Sequence, residues 1–250
     1  IVDAIAALLA GVDLLLLTGD PQVQERIYSG LQLALSRGLL DAGQLATSVV
    51  RLFALQRWVG KAERPALEVV GSLEHQKLAE AVARQAVTLV RDEAGLLPLD
   101  LPAGARVAAI MPRPADLTPA DTSSYLTPAL ARSIRNYHTN VDEFVVGQKP
   151  AESEIRALRE RANDYDLLII GTISAHLQLE QAALVKELLA GDVPAVTVAM
   201  RTPYDLSVYP AAKTQVCTYG IEAVTLAALA SALWGAIPFS GRLPVTIPRV

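Results

Sequence analysis

Cysteine is almost missing from these 250 residues: Cys217 stands alone, so no disulfide can close within the chain. A single cysteine with no catalytic signature around it reads as a small hydrophobe buried on a strand. Histidine is nearly as scarce. His75, His138 and His176 are far apart in sequence and none has a partner at ligand spacing, so neither a metal nor a cofactor is expected. Aromatic residues supply only 5% of the chain while hydrophobic residues supply 52%, so the core has to be aliphatic. Aliphatic cores suit parallel sheets whose strands are buried on both faces. Basic charge is not in excess either: the net charge is −4 and the pI about 5.4, which excludes the electrostatic footprint of a nucleic-acid binder. A membrane span is also lacking. Residues 223–241 carry no charge, but Thr225, Ser231, Gly235, Pro238 and Ser240 interrupt them and alanine dominates their apolar positions. That pattern is a buried helix followed by a turn. Ile1 enters an apolar helical pattern without an initiator Met or a basic leader, so the native N-terminus is expected to be missing and nothing follows about targeting.

What is present has a regular rhythm. Residues 3–10 read as a helix stopped by Gly11, and residues 12–17 as a short buried strand broken by Thr18, Gly19, Asp20 and Pro21. A second helix covers 21–37. A third is capped by Asp41 and runs to about Leu55, with Leu45, Val49, Leu52 and Phe53 on one face. Helix, strand, helix is one unit of an α/β barrel, and it cannot close a barrel alone because eight strands are needed. The charged, proline-broken stretch around Pro65 and the pair Gly71 and Ser72 mark a linker over 61–72. Residues 1–60 and 73–250 then form separate domains.

Beyond the linker, strands are predicted at 87–91, 106–111, 141–146, 167–171, 195–200 and 213–218. Helices are predicted at 73–86, 122–135, 151–163, 176–190 and 221–234. Such alternation implies parallel βαβ units with right-handed crossovers, hence helices on both faces. The fold class is therefore α/β: a three-layer α/β/α sandwich with a mainly parallel sheet, preceded by a helix–strand–helix remnant of a (β/α)8 barrel. The motifs of other α/β classes are missing. No Gly-x-Gly-x-x-Gly or Gly-Lys-Ser/Thr loop follows a strand, which argues against a nucleotide-binding domain. No Gly-x-Ser-x-Gly elbow occurs, which argues against an α/β-hydrolase.

Four stretches, in order, carry a family likeness. The first is Ala10-Gly-Val-Asp-Leu-Leu-Leu-Leu-Thr-Gly-Asp20. The second joins Ala34-Leu-Ser-Arg-Gly-Leu-Leu-Asp41 to Ser48-Val-Val-Arg-Leu52. The third joins His75-Gln-Lys-Leu-Ala79, Gln85-Ala-Val-Thr-Leu-Val-Arg-Asp92 and Gly95-Leu-Leu-Pro-Leu99. The fourth is Arg201-Thr-Pro-Tyr-Asp-Leu-Ser-Val-Tyr-Pro210 with the tail Ser240-Gly-Arg-Leu-Pro-Val-Thr-Ile-Pro248. Together they resemble the closing portion of a family 3 glycoside hydrolase: the last barrel strand, the final barrel and linker helices, and the second domain. The Arg-Thr-Pro-Tyr-Asp-Leu element leans toward the β-N-acetylglucosaminidase (β-hexosaminidase) branch rather than the β-glucosidase branch.

The resemblance implies a retaining exo-β-glycosidase acting on a carbohydrate, with a carboxylate nucleophile and an acid/base placed about 5–5.5 Å apart. It places the nucleophile on a barrel loop upstream of Ile1, and the acid/base of this branch on an earlier barrel loop. Asp3, beside a helix start, and Asp13, at a strand start, match neither. Glu93 in its Asp-Glu-Ala-Gly turn reads as a solvated residue rather than the second-domain acid/base of the glucosidase branch. No catalytic residue is carried over, and the fragment is expected to be inactive alone.

The substrate-rim candidates are Asp20, Arg113, Asp116 and Arg201. Asp20, with Thr18 and Gly19, follows the barrel-like strand, where loops face substrate. Its competing role is a helix cap ahead of Pro21. Arg113 and Asp116 follow a sheet strand, where open sheets bind ligands, or are plain loop residues. Arg201 ends a strand and is more readily a clamp on Asp205 or a neighbouring carboxylate than a substrate ligand. Tyr204 and Tyr209 read as packing residues, and His176 as an exposed residue at a helix start. The competing functions are a sugar-binding or interaction module without catalysis, and a β-glucosidase-type family 3 enzyme. A barrel remnant deprived of its barrel should leave an apolar face, so self-association through residues 1–60, or their repacking against the sandwich, is expected.

Overall fold

The computed structural model describes residues 1–17 and 19–247. It divides the chain into two compact units, Ile1–Val69 and Val70–Val250.

The first unit consists of α1 (Val2–Leu9), α2 (Pro21–Ser36) and α3 (Ala42–Val59), with a single 3-10 turn at Leu67–Val69. Local chemistry sets its helix starts. Asp20 Oδ1 accepts from the Gln22 amide at 2.8 Å ahead of Pro21, and Asp41 Oδ1 accepts from the Gly43 amide at 2.9 Å. Such caps satisfy amides that the helix itself leaves free.

The strand expected at 12–17 does not form. Among the described residues this unit holds no strand at all, so no ladder partner exists for the backbone of that segment. Leu14 and Leu16 are exposed instead of buried. Side chains anchor the segment in place of a sheet. Asp13, expected to open a strand, accepts from Ser48 Oγ at 2.6 Å and pairs with Arg51 at 3.0 Å, and Gln44 Nε2 donates to the Leu8 carbonyl at 2.7 Å. The Ser48 hydroxyl and then the Arg51 guanidinium hold the Asp13 carboxyl below the usual carboxylate range. The helix–strand–helix unit is thus three helices here. Of the apolar face expected on α3, Leu45 and Leu52 are half-buried while Val49 and Phe53 are exposed; Trp58, on the opposite side of the helix, is exposed as well. Thr18 lies outside the described residues.

The second unit opens with α4 (Leu73–Ala86), capped by Ser72. It continues through β1 (Thr88–Asp92), β2 (Val107–Pro112), α5 (Leu130–Ile134), β3 (Val141–Val146), α6 (Glu152–Ala162), β4 (Leu167–Thr172), α7 (Leu179–Leu189), β5 (Ala195–Ala199), β6 (Thr214–Cys217) and α8 (Ala223–Leu233). The strands form one six-stranded sheet in the order β1-β6-β5-β4-β2-β3. Every pairing is parallel except β1 with β6.

Alternation along the strands builds two cores. Val107, Ala109, Met111, Leu167, Ile169, Val196 and Val198 face α4, α5 and α8. Ala108, Ile110, Leu168, Ile170, Ala199 and Cys217 face α6 and α7. Side chains on successive strand positions point to opposite faces, so strands covered on both sides carry apolar residues throughout. β2 and β4 are buried along their whole length. The result is the expected α/β/α sandwich.

Two helices differ from expectation, each for a local reason. The segment at 122–135 breaks into a 3-10 turn at Ser123–Tyr125 and the short α5, because Pro128 lies inside the predicted run and cannot donate to a helix ladder. The helix predicted from 176 starts at Leu179, because a turn with Ser174 at φ 60° occupies the residues ahead of it.

The tail also contributes to this unit. The Gly241 amide donates to the Val87 carbonyl at 3.1 Å, where α4 meets β1. A methyl group at Gly241 would overlap the Ala86 carbonyl oxygen and the Thr88 hydroxyl. Gly241→Ala is expected to destabilise the second unit by about 1–3 kcal/mol, the usual cost of overpacking. Arg242→Ala, at an exposed neighbour, should stay within about 0.5 kcal/mol of the parent. Urea unfolding followed by circular dichroism checks both, and equal midpoints for the two variants would remove the close-approach argument.

Candidate functional site

Parallel sheets present their loops to ligands at the carboxyl ends of the strands, above all where neighbouring strands connect in opposite directions. Here that point lies between β2, which leads to β3 on one side, and β4, which leads to β5 on the other. Three loops meet at this edge: one after β2, one after β4 and one after β5.

The loop after β2 is organised by its own carboxylates. Asp116 accepts from the Ser124 amide at 2.8 Å and the Ser124 hydroxyl at 2.7 Å. Asp121 accepts from the Leu117 amide at 3.0 Å, the Ser123 amide at 2.9 Å and the Ser123 hydroxyl at 2.6 Å. Arg201, after β5, reaches the same group: its Nη1 donates to Asp121 Oδ2 at 3.1 Å and its Nη2 donates to Ser123 Oγ. The Arg201 clamp therefore closes on Asp121, 80 residues away, and not on Asp205. The hydroxyl of Ser123, the two amides and Arg201 together hold the Asp121 carboxyl well below the usual carboxylate range.

Asp205 is committed elsewhere. Its side chain is fully buried. It accepts from Thr172 Oγ1 at 2.8 Å, the His176 amide at 3.2 Å and His176 Nδ1 at 2.8 Å. The Tyr209 hydroxyl lies 3.0 Å from Thr172 Oγ1 and closes the network. Tyr209 is entirely buried, and burial raises its phenol well above the ordinary range. A carboxylate can only accept, so His176 donates from Nδ1, which leaves Nε2 as the ring nitrogen directed away from Asp205. The His176 side chain is 24% exposed. The Tyr204 ring lies 5.7 Å from the imidazole at 59°, and it is 45% exposed. Gln181 pins the loop carrying His176: it accepts from the Ile173 amide at 2.9 Å and donates to the carbonyls of Ile173 and Gln148 at 3.0 and 2.9 Å.

The four sequence-derived candidates thus have different fates. Arg201 joins the loop after β2. Asp116 lies on that loop with both carboxylate oxygens engaged. Arg113 is exposed, and its main chain is fixed by an amide bond to the Val146 carbonyl at 2.8 Å and by Gln148 Nε2 at 2.6 Å. Asp20 belongs to the first unit, as the cap of α2. The pairing of His176 with Asp205 was not anticipated, and His176 is half-buried in a turn rather than exposed at a helix start. A usable signal existed: a histidine after one parallel strand and an aspartate after the next fall at adjacent carboxyl ends. Cys217 is buried and its thiol is pushed up to about 12 by burial, so it stays protonated. Among the described residues there is no group of acidic, His and Cys side chains able to hold a metal. An apolar groove of about 640 Å³ runs between α7 and the 3-10 turn Pro203–Val208, but its only charged lining residue is Lys186. The polar chemistry sits at the carboxyl edge instead.

Comparison with known proteins decides the family. A family model described as the glycosyl hydrolase family 3 C-terminal domain matches residues 87–250. The chain belongs to this family. Structural similarity extends beyond that match. A family 3 β-N-acetylglucosaminidase from Paenibacillus sp. str. FPU-7 is similar over 99% of this chain and 48% of its own, with a TM-score of 0.80 and 25% identity. A fungal multi-domain family 3 β-N-acetylglucosaminidase is similar over 99% of this chain and 28% of its own, with a TM-score of 0.74 and 23% identity. A β-glucosidase from Listeria innocua covers 93% of this chain and 36% of its own, at 17% identity and a TM-score of 0.63. At such identities the last two show the fold alone. No curated protein sequence matches the chain. The family 3 chain described here spans about half, or less, of the proteins it resembles.

The Asp121 cluster predicts a pH dependence. Its folded pKa is depressed, so its stabilising contribution is complete above the unfolded carboxylate value near ~4 and is lost as pH falls through the lower folded value. The stability difference between the parent and Asp121→Asn should therefore be constant from neutral pH down to about 5 and shrink below about 4. Denaturant unfolding at stepped pH measures it, and a difference unchanged at low pH would contradict the assignment.

Proposed function

We propose that this chain is the C-terminal part of a retaining exo-β-glycosidase that removes terminal β-linked N-acetylglucosamine. The observation that carries this reading is the similarity to the Paenibacillus β-N-acetylglucosaminidase over nearly the whole chain, closer than that to the β-glucosidase. The Arg201-Thr-Pro-Tyr-Asp-Leu element supports the same branch.

In a retaining reaction a carboxylate attacks the anomeric carbon while an acid/base group protonates the leaving oxygen. Water, deprotonated by that second group, then releases the sugar from the glycosyl-enzyme. Several carboxylates of this chain already have structural commitments: Asp13 to Ser48 and Arg51, Asp20 and Asp41 to helix caps, Asp121 to Arg201, and Asp205 to Thr172 and His176. In this reading the nucleophile and the acid/base are supplied by chain outside these 250 residues, and the second unit is a scaffold that brings its loops to the substrate.

The test is release of nitrophenol from an aryl N-acetyl-β-glucosaminide. The 250-residue chain alone should release none above buffer. A product of the same gene extended upstream should turn the substrate over and prefer it to the aryl β-glucoside. Robust turnover by the chain alone would overturn the assignment of the reactive groups, and preference for the glucoside would move the enzyme to the β-glucosidase branch.

The uncovered face of α3 carries a second expectation. Exposed Val49 and Phe53, one turn apart on α3, favour association of copies through that face. The isolated chain should elute as a dimer or larger species in size-exclusion chromatography with light scattering, and Val49→Ser with Phe53→Ser should shift it to monomer. A parent chain that is monodisperse and monomeric would end this expectation.

A further inference from the structure

We infer that His176 and Tyr204 form a sugar-recognition site at the carboxyl edge of the sheet, with Asp205 as its positioning residue. The geometry favours a neutral ligand with one apolar ring face and one hydroxyl edge. The choice of N-acetylglucosamine as that sugar rests on the glycosidase reading above; the site itself does not.

Three observations converge. First, the imidazole is oriented by a fully buried carboxylate that has its own independent support. Asp205 is held by Thr172 Oγ1 at 2.8 Å and by the His176 amide at 3.2 Å, so it would keep partners without the ring. What the ring gains is a fixed tautomer: Nδ1 is spent on Asp205 at 2.8 Å and Nε2 has no protein partner among the described residues. Second, the turn that presents His176 contains Ser174 at φ 60° in a fully packed setting. A non-glycine residue in the left-handed region is strained and persists only where surrounding structure enforces it. Gln181 and the Asp205 bonds supply that enforcement. Third, Tyr204 stays 45% exposed between Pro203 and Asp205, which are both buried, on a 3-10 turn fixed by the Ser207 hydroxyl donating to the Tyr204 carbonyl at 2.7 Å. Its main chain is therefore fixed, and its ring lies 5.7 Å from the imidazole and tilted to it by 59°.

The charge balance selects the ligand class. Arg201, the cation on the same loop, is engaged by Asp121 at 3.1 Å, so that side chain is not free for a phosphate or a carboxylate. A tyrosine ring offers an apolar face to the C–H bonds of a pyranose. An imidazole Nε2 accepts a hydroxyl proton from the ring edge. A β-linked saccharide, whose substituents leave a flat apolar face, satisfies both contacts.

The experiment titrates the 250-residue chain with chitobiose at millimolar concentration and follows the His176 ring nitrogens and the Tyr204 ring protons by NMR. Saturable movement of both sets is expected. Tyr204→Ala and His176→Ala should each weaken binding about tenfold, the size of one ring contact or one neutral hydrogen bond. Tyr204→Phe should stay within about twofold, because the hydroxyl has no hydrogen-bond partner among the described residues. Resonances that do not move, or equal binding by Tyr204→Ala, would overturn the site. Turnover by the upstream-extended protein without movement of His176 would remove the site and leave the glycosidase standing. Binding by the 250-residue chain without turnover by the upstream-extended protein would support the site and remove the glycosidase.

Discussion

Backbone amides and carbonyls buried away from water must be paired, and in a parallel sheet they can be paired only by neighbours that arrive through crossovers. That constraint explains both halves of this chain. In the second unit the strand order β1-β6-β5-β4-β2-β3 gives four inner strands a partner on each side. The crossovers then lay α5 on one face and α6 and α7 on the other, and α4, ahead of β1, and α8, after β6, join α5. Residues 12–17 are as apolar as any of those strands, yet they have no strand beside them among the described residues of their unit and form no ladder. Apolar character was enough to suggest a strand and not enough to make one.

The same requirement shapes the carboxyl edge. A loop at the end of a parallel strand has no ladder, so its polar groups are satisfied by side chains. Asp116 and Asp121 serve the loop after β2, Gln181 serves the loop after β4, and Asp205 ties that loop to the one after β5. Carboxylates used this way are acceptors for amides and hydroxyls, and their charge is stabilised where it stands. They are consequently poor candidates for the reactive pair of a glycosidase. What this network leaves outward are an imidazole nitrogen and a tyrosine ring, groups suited to recognition.

Much of the second unit was legible before the structure. The alternation of apolar runs with helical patterns located all six strands within a residue or two, because strands buried on both faces have few polar positions to blur their ends. Helix caps were equally legible at Asp20 and Asp41, since Asp ahead of a helix acts within two residues of itself. The site was legible only in part. Arg201 reads as a clamp on Asp205 or a neighbouring carboxylate, and the carboxylate it meets is Asp121, from the loop after β2. His176 reads in sequence as an exposed residue at a helix start, and only the meeting of two strand ends gives it Asp205.

Sequence alone determined the fold class, the position of each strand in the second unit and the membership of family 3, because these depend on periodicity and on short motifs that act locally. Tertiary structure decided which side chains meet: Arg201 with Asp121, His176 with Asp205, and Tyr204 beside the imidazole. It also decided that residues 12–17 would not be a strand. The physical reason is common to all of these. Pairing of backbone or of side chains across tens of residues depends on which strand ends the topology makes neighbours, and that information resides in the packing of the sheet rather than in any stretch of the chain.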